Sequence, residues 1–145
     1  MDAIANIIPP DGVLLHLKAS TLDSAMEQMS ALAAEVTGQR TGVIQDALMA
    51  RARLGASVGN GVIIPHARLP GLRRIVAFFA RPLVPIAVED GAPISMIFIL
   101  LAPEDADAGH LKVLAKIAGI LRDPASRDLL ATGTRDVVYQ RLTVE

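Results

Sequence analysis

His66 is the residue in this sequence best placed to do chemistry. It closes the run Gly59-Asn60-Gly61-Val62-Ile63-Ile64-Pro65-His66, in which a glycine loop and a short apolar stretch lead to a proline. Pro65 fixes the backbone just before the imidazole, so the ring is aimed rather than loosely held. An imidazole of ordinary pKa, about 6.5, is mostly neutral at pH 7 and keeps a free lone pair. That is what a nucleophile forming a covalent intermediate needs. Gly59, Asn60 and Gly61 can adopt backbone conformations closed to most residues, and successive exposed amides in such a loop can cradle an anion. The plainer alternative is a polar histidine where a strand runs out into a loop. The local residues leave both readings open.

His110 is the second candidate. It follows the acidic, turn-prone stretch 102–109 (APEDADAG) and falls in the first turn of a predicted helix. Amides at a helix N-terminus favour anions, so an imidazole there can help hold a phosphate or steady a neighbouring ring. It can equally be a polar residue near a cap. Arg51 and Arg53 end an earlier helix, where cations complement the dipole. Either arginine could instead turn toward a phosphorylated His66 and donate charge-assisted hydrogen bonds. His16 alternates with Leu15 and Leu17 and reads as structural or solvent-facing. No pair among the three histidines has the close spacing of zinc ligands, so no metal site is expected. The stretch GASVGNG, 55–61, matches neither a P-loop nor the dinucleotide fingerprint.

The elements that must position these residues can be read from periodicity. The apolar stretch 13–17 follows a Pro-Pro-Asp-Gly turn signal and reads as a strand. Ser20 and Asp23 have capping-box spacing. Leu22, Ala25, Met26, Met29, Leu32, Ala33 and Val36 then recur at helical intervals, and Gly38 closes the segment. A second helix holds Val43, Ile44, Ala47, Leu48 and Met49 and ends before Gly55. Strands are expected at 61–65, 74–81 and 94–102, with Asp90-Gly91 as a turn dipeptide between the last two. The unbroken apolar character of 94–102 predicts a strand covered on both faces. Leu111, Leu114, Ala115, Ala118 and Leu121 form a helical stripe. Pro124 and Thr134 each open a further short helix. The order predicts a single three-layer α/β (α+β) domain over 1–145, with a mixed sheet flanked by helices.

Composition narrows the function. Of the 145 residues 52% are hydrophobic and 3% aromatic, with a mean hydropathy of +0.44. That gives an aliphatic core without the stacking platforms of a single-strand nucleic-acid binder. The net charge of −1 and pI near 6.3 give no basic excess, so no nucleic-acid partner is expected. The lack of cysteine excludes disulfides and suits a cytoplasmic location. No signal peptide is evident at the start of the sequence. The longest apolar run, 94–102, is far short of the roughly 20 residues that span a bilayer, so no membrane insertion is expected.

Taken together, the chain resembles the type-2 EIIA proteins of the bacterial phosphoenolpyruvate-dependent phosphotransferase system, and among them the nitrogen-regulatory branch. Three stretches carry the resemblance: 13–38 (VLLHLKASTLDSAMEQMSALAAEVTG), 47–72 (ALMARARLGASVGNGVIIPHARLPGL) and 98–123 (FILLAPEDADAGHLKVLAKIAGILRD). The combination of Gly-Asn-Gly, Pro-His and Ala-Pro-Glu-Asp with a later His-Leu is the specific part. Two departures stand out: the loop between Leu54-Gly55 and Gly59 is one residue shorter than in relatives, and Ile63 replaces an alanine.

The resemblance implies a role for each residue. His66 is the phosphoacceptor, His110 the supporting histidine, and Arg51 the cation that stabilises the phosphate. Ser57, Gly59, Asn60 and Gly61 are implied as phosphate-binding. The donor is an HPr-like phosphocarrier, the output is phosphorylation-dependent binding to regulatory target proteins, and no cofactor or metal is needed. Two alternatives remain at this stage. One is a sugar-specific EIIA of the fructose or mannitol type that passes phosphate to EIIB. The other is a non-catalytic binding module on the same fold.

Overall fold

A computed structural model describes residues 7–53, 57–89, 91–105 and 109–143. Leu54, Gly55 and Ala56 of the shortened loop, Asp90 of the turn dipeptide, and 106–108 of the acidic stretch lie outside the described residues, as do the side chains of Arg53 and Ser57. The elements are β1 (Val13–Leu17), α1 (Leu22–Thr37), α2 (Thr41–Arg53), β2 (Ser57–Gly59), β3 (Val62–Ile63), β4 (His66–Leu69), β5 (Val76–Pro82), β6 (Met96–Pro103), α3 (Gly109–Arg122), α4 (Pro124–Thr132) and α5 (Arg135–Thr143).

One mixed sheet runs β1-β5-β6-β3-β2, with β4 also paired to β6. β1 is parallel to β5, β5 antiparallel to β6, and β3 and β4 both parallel to β6. β6 is the central strand, and its side chains alternate between two cores. Ile97, Ile99 and Leu101 pack with Met26, Met29, Ile44 and Leu48 of α1 and α2. Met96, Phe98 and Leu100 pack with Val113, Ile117, Leu130 and Val138 of α3, α4 and α5. Every residue of β6 except Pro103 is buried. This is why its sequence is continuously apolar instead of alternating. Phe79 and Phe98 anchor the second core, with ring centroids 4.8 Å apart and planes tilted by 50°. Such a pair contributes about 0.5–1.5 kcal/mol beyond its buried area.

The helices start and stop for local reasons. Thr21 caps α1, its hydroxyl accepting from the Ser24 amide at 3.1 Å. The cap is therefore one residue later than the Ser20–Asp23 spacing predicts, because adjacent Ser and Thr offer the same hydroxyl and the backbone turns at the second. Gly38 ends α1 in the left-handed region, φ 76°, and donates to the Ala34 carbonyl. Asp123 caps α4, with Pro124 in the first turn. Its carboxyl is held below the ordinary carboxylate value, first by the Ser126 hydroxyl and then by the Ser126 amide.

Around His66 the structure departs from the expected loop. β3 and β4 run along the same edge of β6 in one unbroken register, with Val62 opposite Met96 and His66 opposite Leu100. Pro65 interrupts only the pattern of donors: it has no N–H, but its carbonyl accepts from the Leu100 amide at 3.1 Å. His66 thus opens a strand. The glycine loop is also more ordered than expected. β2 and β3 form an antiparallel hairpin whose tip is Asn60-Gly61, at φ 57° and 78°. Two positive φ values in a two-residue loop are the signature of a type I′ turn, for which Asn-Gly is a preferred pair.

Candidate active site

A cleft of about 400 Å³ is lined by residues of β4, the last two turns of α2, the end of β6 and the first turn of α3. Its polar lining is Arg51, His66, Arg68 and His110; its apolar walls are Ala47, Ala67, Leu100 and Ala102. Three of the residues singled out in the sequence, Arg51, His66 and His110, therefore meet here. No carboxylate is found among the described lining residues. Two guanidiniums beside apolar walls favour an anion, since charge interactions strengthen where water is partly excluded.

His66 is half-buried, and both ring nitrogens are engaged. Nδ1 lies 3.1 Å from the Ile64 carbonyl. A carbonyl can only accept, so Nδ1 carries the proton. Nε2 lies 3.2 Å from Nη2 of Arg51. A guanidinium can only donate, so Nε2 presents its lone pair. The two contacts require the same neutral tautomer. The strand geometry explains the first of them. Carbonyls alternate in direction along a strand, and that of Pro65 points inward to β6, so that of Ile64 points to the outer edge. The described pairing of β2 on that edge ends with Ser57 opposite Ile63. The carbonyl just beyond it turns the imidazole.

Arg51 sits two residues before the end of α2 and is exposed, with its guanidinium directed at His66. His110 is the second residue of α3 and is half-buried, so the amides of that helix start border the same cleft. Arg68 was not visible as a site residue in the sequence. It stands two positions after His66 on β4, hence on the same face of the strand, and its Nη2 is 3.5 Å from Nδ1 of His110. The period-two spacing from His66 is the signal that points to it, once the strand is known to continue past Pro65.

The Gly59–Gly61 turn is not brought to the cleft. Gly61 bonds at the start of β6: its carbonyl accepts from the Ser95 amide at 2.8 Å and the Met96 amide at 3.3 Å. His66 lies opposite Leu100, four residues further along β6, a separation of about 13 Å at strand spacing. Gly59, Asn60 and Gly61 are absent from the cleft lining. In this structure these residues serve the hairpin. A Cβ on Gly61 would sit 2.6 Å from the Pro93 carbonyl oxygen. Ser57 contributes backbone pairing to Ile63, three residues before His66. His16 lies on β1, exposed and outside the cleft.

The fold agrees with the comparisons to known proteins. Residues 6–144 match the family described as "Phosphoenolpyruvate-dependent sugar phosphotransferase system, EIIA 2", and the chain belongs to that family. It is thus a component of phosphotransferase machinery. Within the family it is 41% identical to a nitrogen regulatory protein of Bradyrhizobium diazoefficiens, over 97% of this chain and 95% of that one. A nitrogen regulatory protein of Pseudomonas aeruginosa is 32% identical over 97% of this chain and 94% of its own length. The crystal structure of nitrogen regulatory protein IIA-Ntr from Neisseria meningitidis superposes with a TM-score of 0.90 at 32% identity, covering 98% of this chain and all of that one. The mannitol IIA of Escherichia coli shares the fold, with a TM-score of 0.72 at 19% identity over 92% of this chain and 97% of that one.

Proposed function

We propose that the chain is a phosphoryl-accepting regulatory component of a phosphotransferase system. In this reading His66 takes the phosphoryl group from an HPr-like phosphocarrier, and the output is phosphorylation-dependent binding to regulatory target proteins. The observation that carries it is the pair of hydrogen bonds on His66: Nδ1–H to the Ile64 carbonyl at 3.1 Å, and Nε2 toward Arg51 at 3.2 Å. The nucleophilic nitrogen is Nε2, and it faces the cation that its product would need.

The transfer balances without a cofactor. The Nε2 lone pair attacks phosphorus in line; a new N–P bond forms as the N–P bond to the donor's imidazole breaks, and that electron pair returns to the donor ring. The proton stays on Nδ1 throughout, donated to the Ile64 carbonyl. Arg51 exchanges its contact with the lone pair for a contact with a phosphoryl oxygen. His110 and the amides at the start of α3 supply further donors. Catalysis here is positioning and charge stabilisation. Leu111, adjacent to His110, is 56% exposed and offers apolar surface for a docking carrier.

The phosphoryl oxygens carry about −1.5 to −2 charges by analogy with other phosphorylated side chains, partly offset by the ring, which becomes cationic because Nδ1 keeps its proton. On a chain of net charge −1, that changes which partner the surface accepts. The regulatory reading is favoured over a sugar-specific one by degree of similarity. A fructose-specific EIIA component of Haloferax volcanii is 24% identical over 96% of this chain, against 41% for the Bradyrhizobium nitrogen regulatory protein. A cytoplasmic location accompanies this role; among the described residues no helix is long and apolar enough to cross a membrane.

Incubation with phosphoenolpyruvate, Enzyme I and HPr tests the reading. One acid-labile phosphate on His66, absent from His66→Ala, is expected. Onward transfer to an EIIB acceptor would favour the sugar-specific alternative, and failure to accept phosphate at all would favour a non-catalytic module.

A further inference from the structure

The cleft holds two arginine–histidine pairs. Arg51 engages His66 at 3.2 Å, and Arg68 approaches Nδ1 of His110 at 3.5 Å, the long end of hydrogen-bond distance. Arg68 is exposed on β4 and faces the cleft and the ring of His110. Since a guanidinium has no acceptor, a contact with Nδ1 requires that nitrogen to be unprotonated. The ring proton of neutral His110 then resides on Nε2.

We propose that Arg68 is a positioning residue for phosphoryl transfer: by donating to Nδ1 it selects the His110 tautomer with its proton on Nε2, so that His110 serves the phosphoryl oxygens as a hydrogen-bond donor. This rests on the reading of His66 as phosphoacceptor. It also gives the two histidines opposite tautomers for opposite tasks. His66, held through Nδ1–H by a carbonyl, offers a lone pair; His110, held through a bare Nδ1 by a guanidinium, offers a proton. The strand places both controls. His66 and Arg68 are alternate residues of β4 on one face, so the element that aims the nucleophile also carries the residue that sets its helper.

Two measurements test this, and they fail separately. The first needs no phosphate: histidine-selective ¹⁵N NMR of the wild-type protein should show His110 protonated on Nε2, and Arg68→Ala should shift it to a mixture of tautomers. A wild-type His110 protonated on Nδ1, or a tautomer unchanged in Arg68→Ala, overturns the proposal whatever becomes of the phosphoacceptor assignment. The second is single-turnover transfer from phosphorylated HPr to Arg68→Ala, Arg68→Lys, His110→Ala and the double variant. Arg68→Ala should slow transfer on the order of tenfold, Arg68→Lys should recover part of the loss, and the double variant should be no slower than His110→Ala alone. If the two losses multiply instead, Arg68 does not act through His110. Unchanged thermal melting of Arg68→Ala, expected for an exposed side chain, separates positioning from folding.

Discussion

The Asn60-Gly61 turn and the His66 cleft lie along the same edge of β6, with His66 five residues after Gly61, and do opposite work. At the turn, backbone conformation decides everything. Positive φ values at Asn60 and Gly61 close the hairpin, and the Gly61 carbonyl ties it to the start of β6. At the cleft the backbone is ordinary strand, and side chains decide: an imidazole with its tautomer fixed, two guanidiniums and a helix start. A run that reads as one motif is thus two devices. The first sets where β3 begins on β6, and the register carries that placement to the second.

Substitutions at the two ends should therefore separate stability from transfer. The largest effect is expected for His66→Ala, which should abolish phosphate acceptance with the melting temperature little changed, as followed by intact-protein mass spectrometry and thermal denaturation. Residual labelling on another residue would mean the cleft is not the acceptor site. Arg51→Ala comes next. Removing a donor aimed at developing charge costs about 10²–10³ in rate, read in stopped-flow transfer from phosphorylated HPr. A loss under threefold would leave the Arg51–His66 contact without a catalytic role.

Gly61→Ala should do the reverse. A left-handed φ of 78° and a Cβ 2.6 Å from the Pro93 carbonyl oxygen should cost on the order of 1–3 kcal/mol in urea denaturation. The folded fraction should transfer phosphate within about twofold of wild type, because the turn is about 13 Å from the cleft. A stable Gly61→Ala protein with tenfold slower transfer would restore the glycine loop as a phosphate contact. The smallest effect belongs to neither region. The Asp123 carboxyl, lowered first by the Ser126 hydroxyl, contributes stability that is present above the unfolded carboxylate value of 3.8 and is lost as pH falls through the lower folded value. Asp123→Ala should flatten that acid limb of a stability–pH curve and leave transfer untouched; an unchanged limb would show that the cap does not carry it.

What the sequence made legible followed from periodicity and local chemistry. The burial of β6 on both faces showed as an unbroken apolar run, and α1 showed as a repeat closed by Gly38. His66, His110, Arg51 and Arg53 were candidates by residue type and place at element ends, and the family resemblance, not the local residues, singled out the first three. Three features were not, each because it depends on pairing. Pro65 looked like a strand stop, yet a proline costs a strand only its N–H, and β6 uses the Pro65 carbonyl. Arg68 stayed hidden for the same reason, since its shared face with His66 exists only if the strand continues. The Gly-Asn-Gly run looked like an anion cradle because a left-handed turn and an anion nest use the same residues. Only register shows that this turn lies at the far end of the strand from His66.

The central claim is that His66 accepts phosphate through Nε2 while Nδ1 keeps its proton, donated to the Ile64 carbonyl. The most direct measurement is histidine-selective ¹⁵N NMR of the protein after phosphorylation by phosphoenolpyruvate, Enzyme I and HPr. The account predicts one modified ring, that of His66, with phosphorus on Nε2 and hydrogen on Nδ1. Phosphorus on Nδ1, or on any other residue, would contradict it.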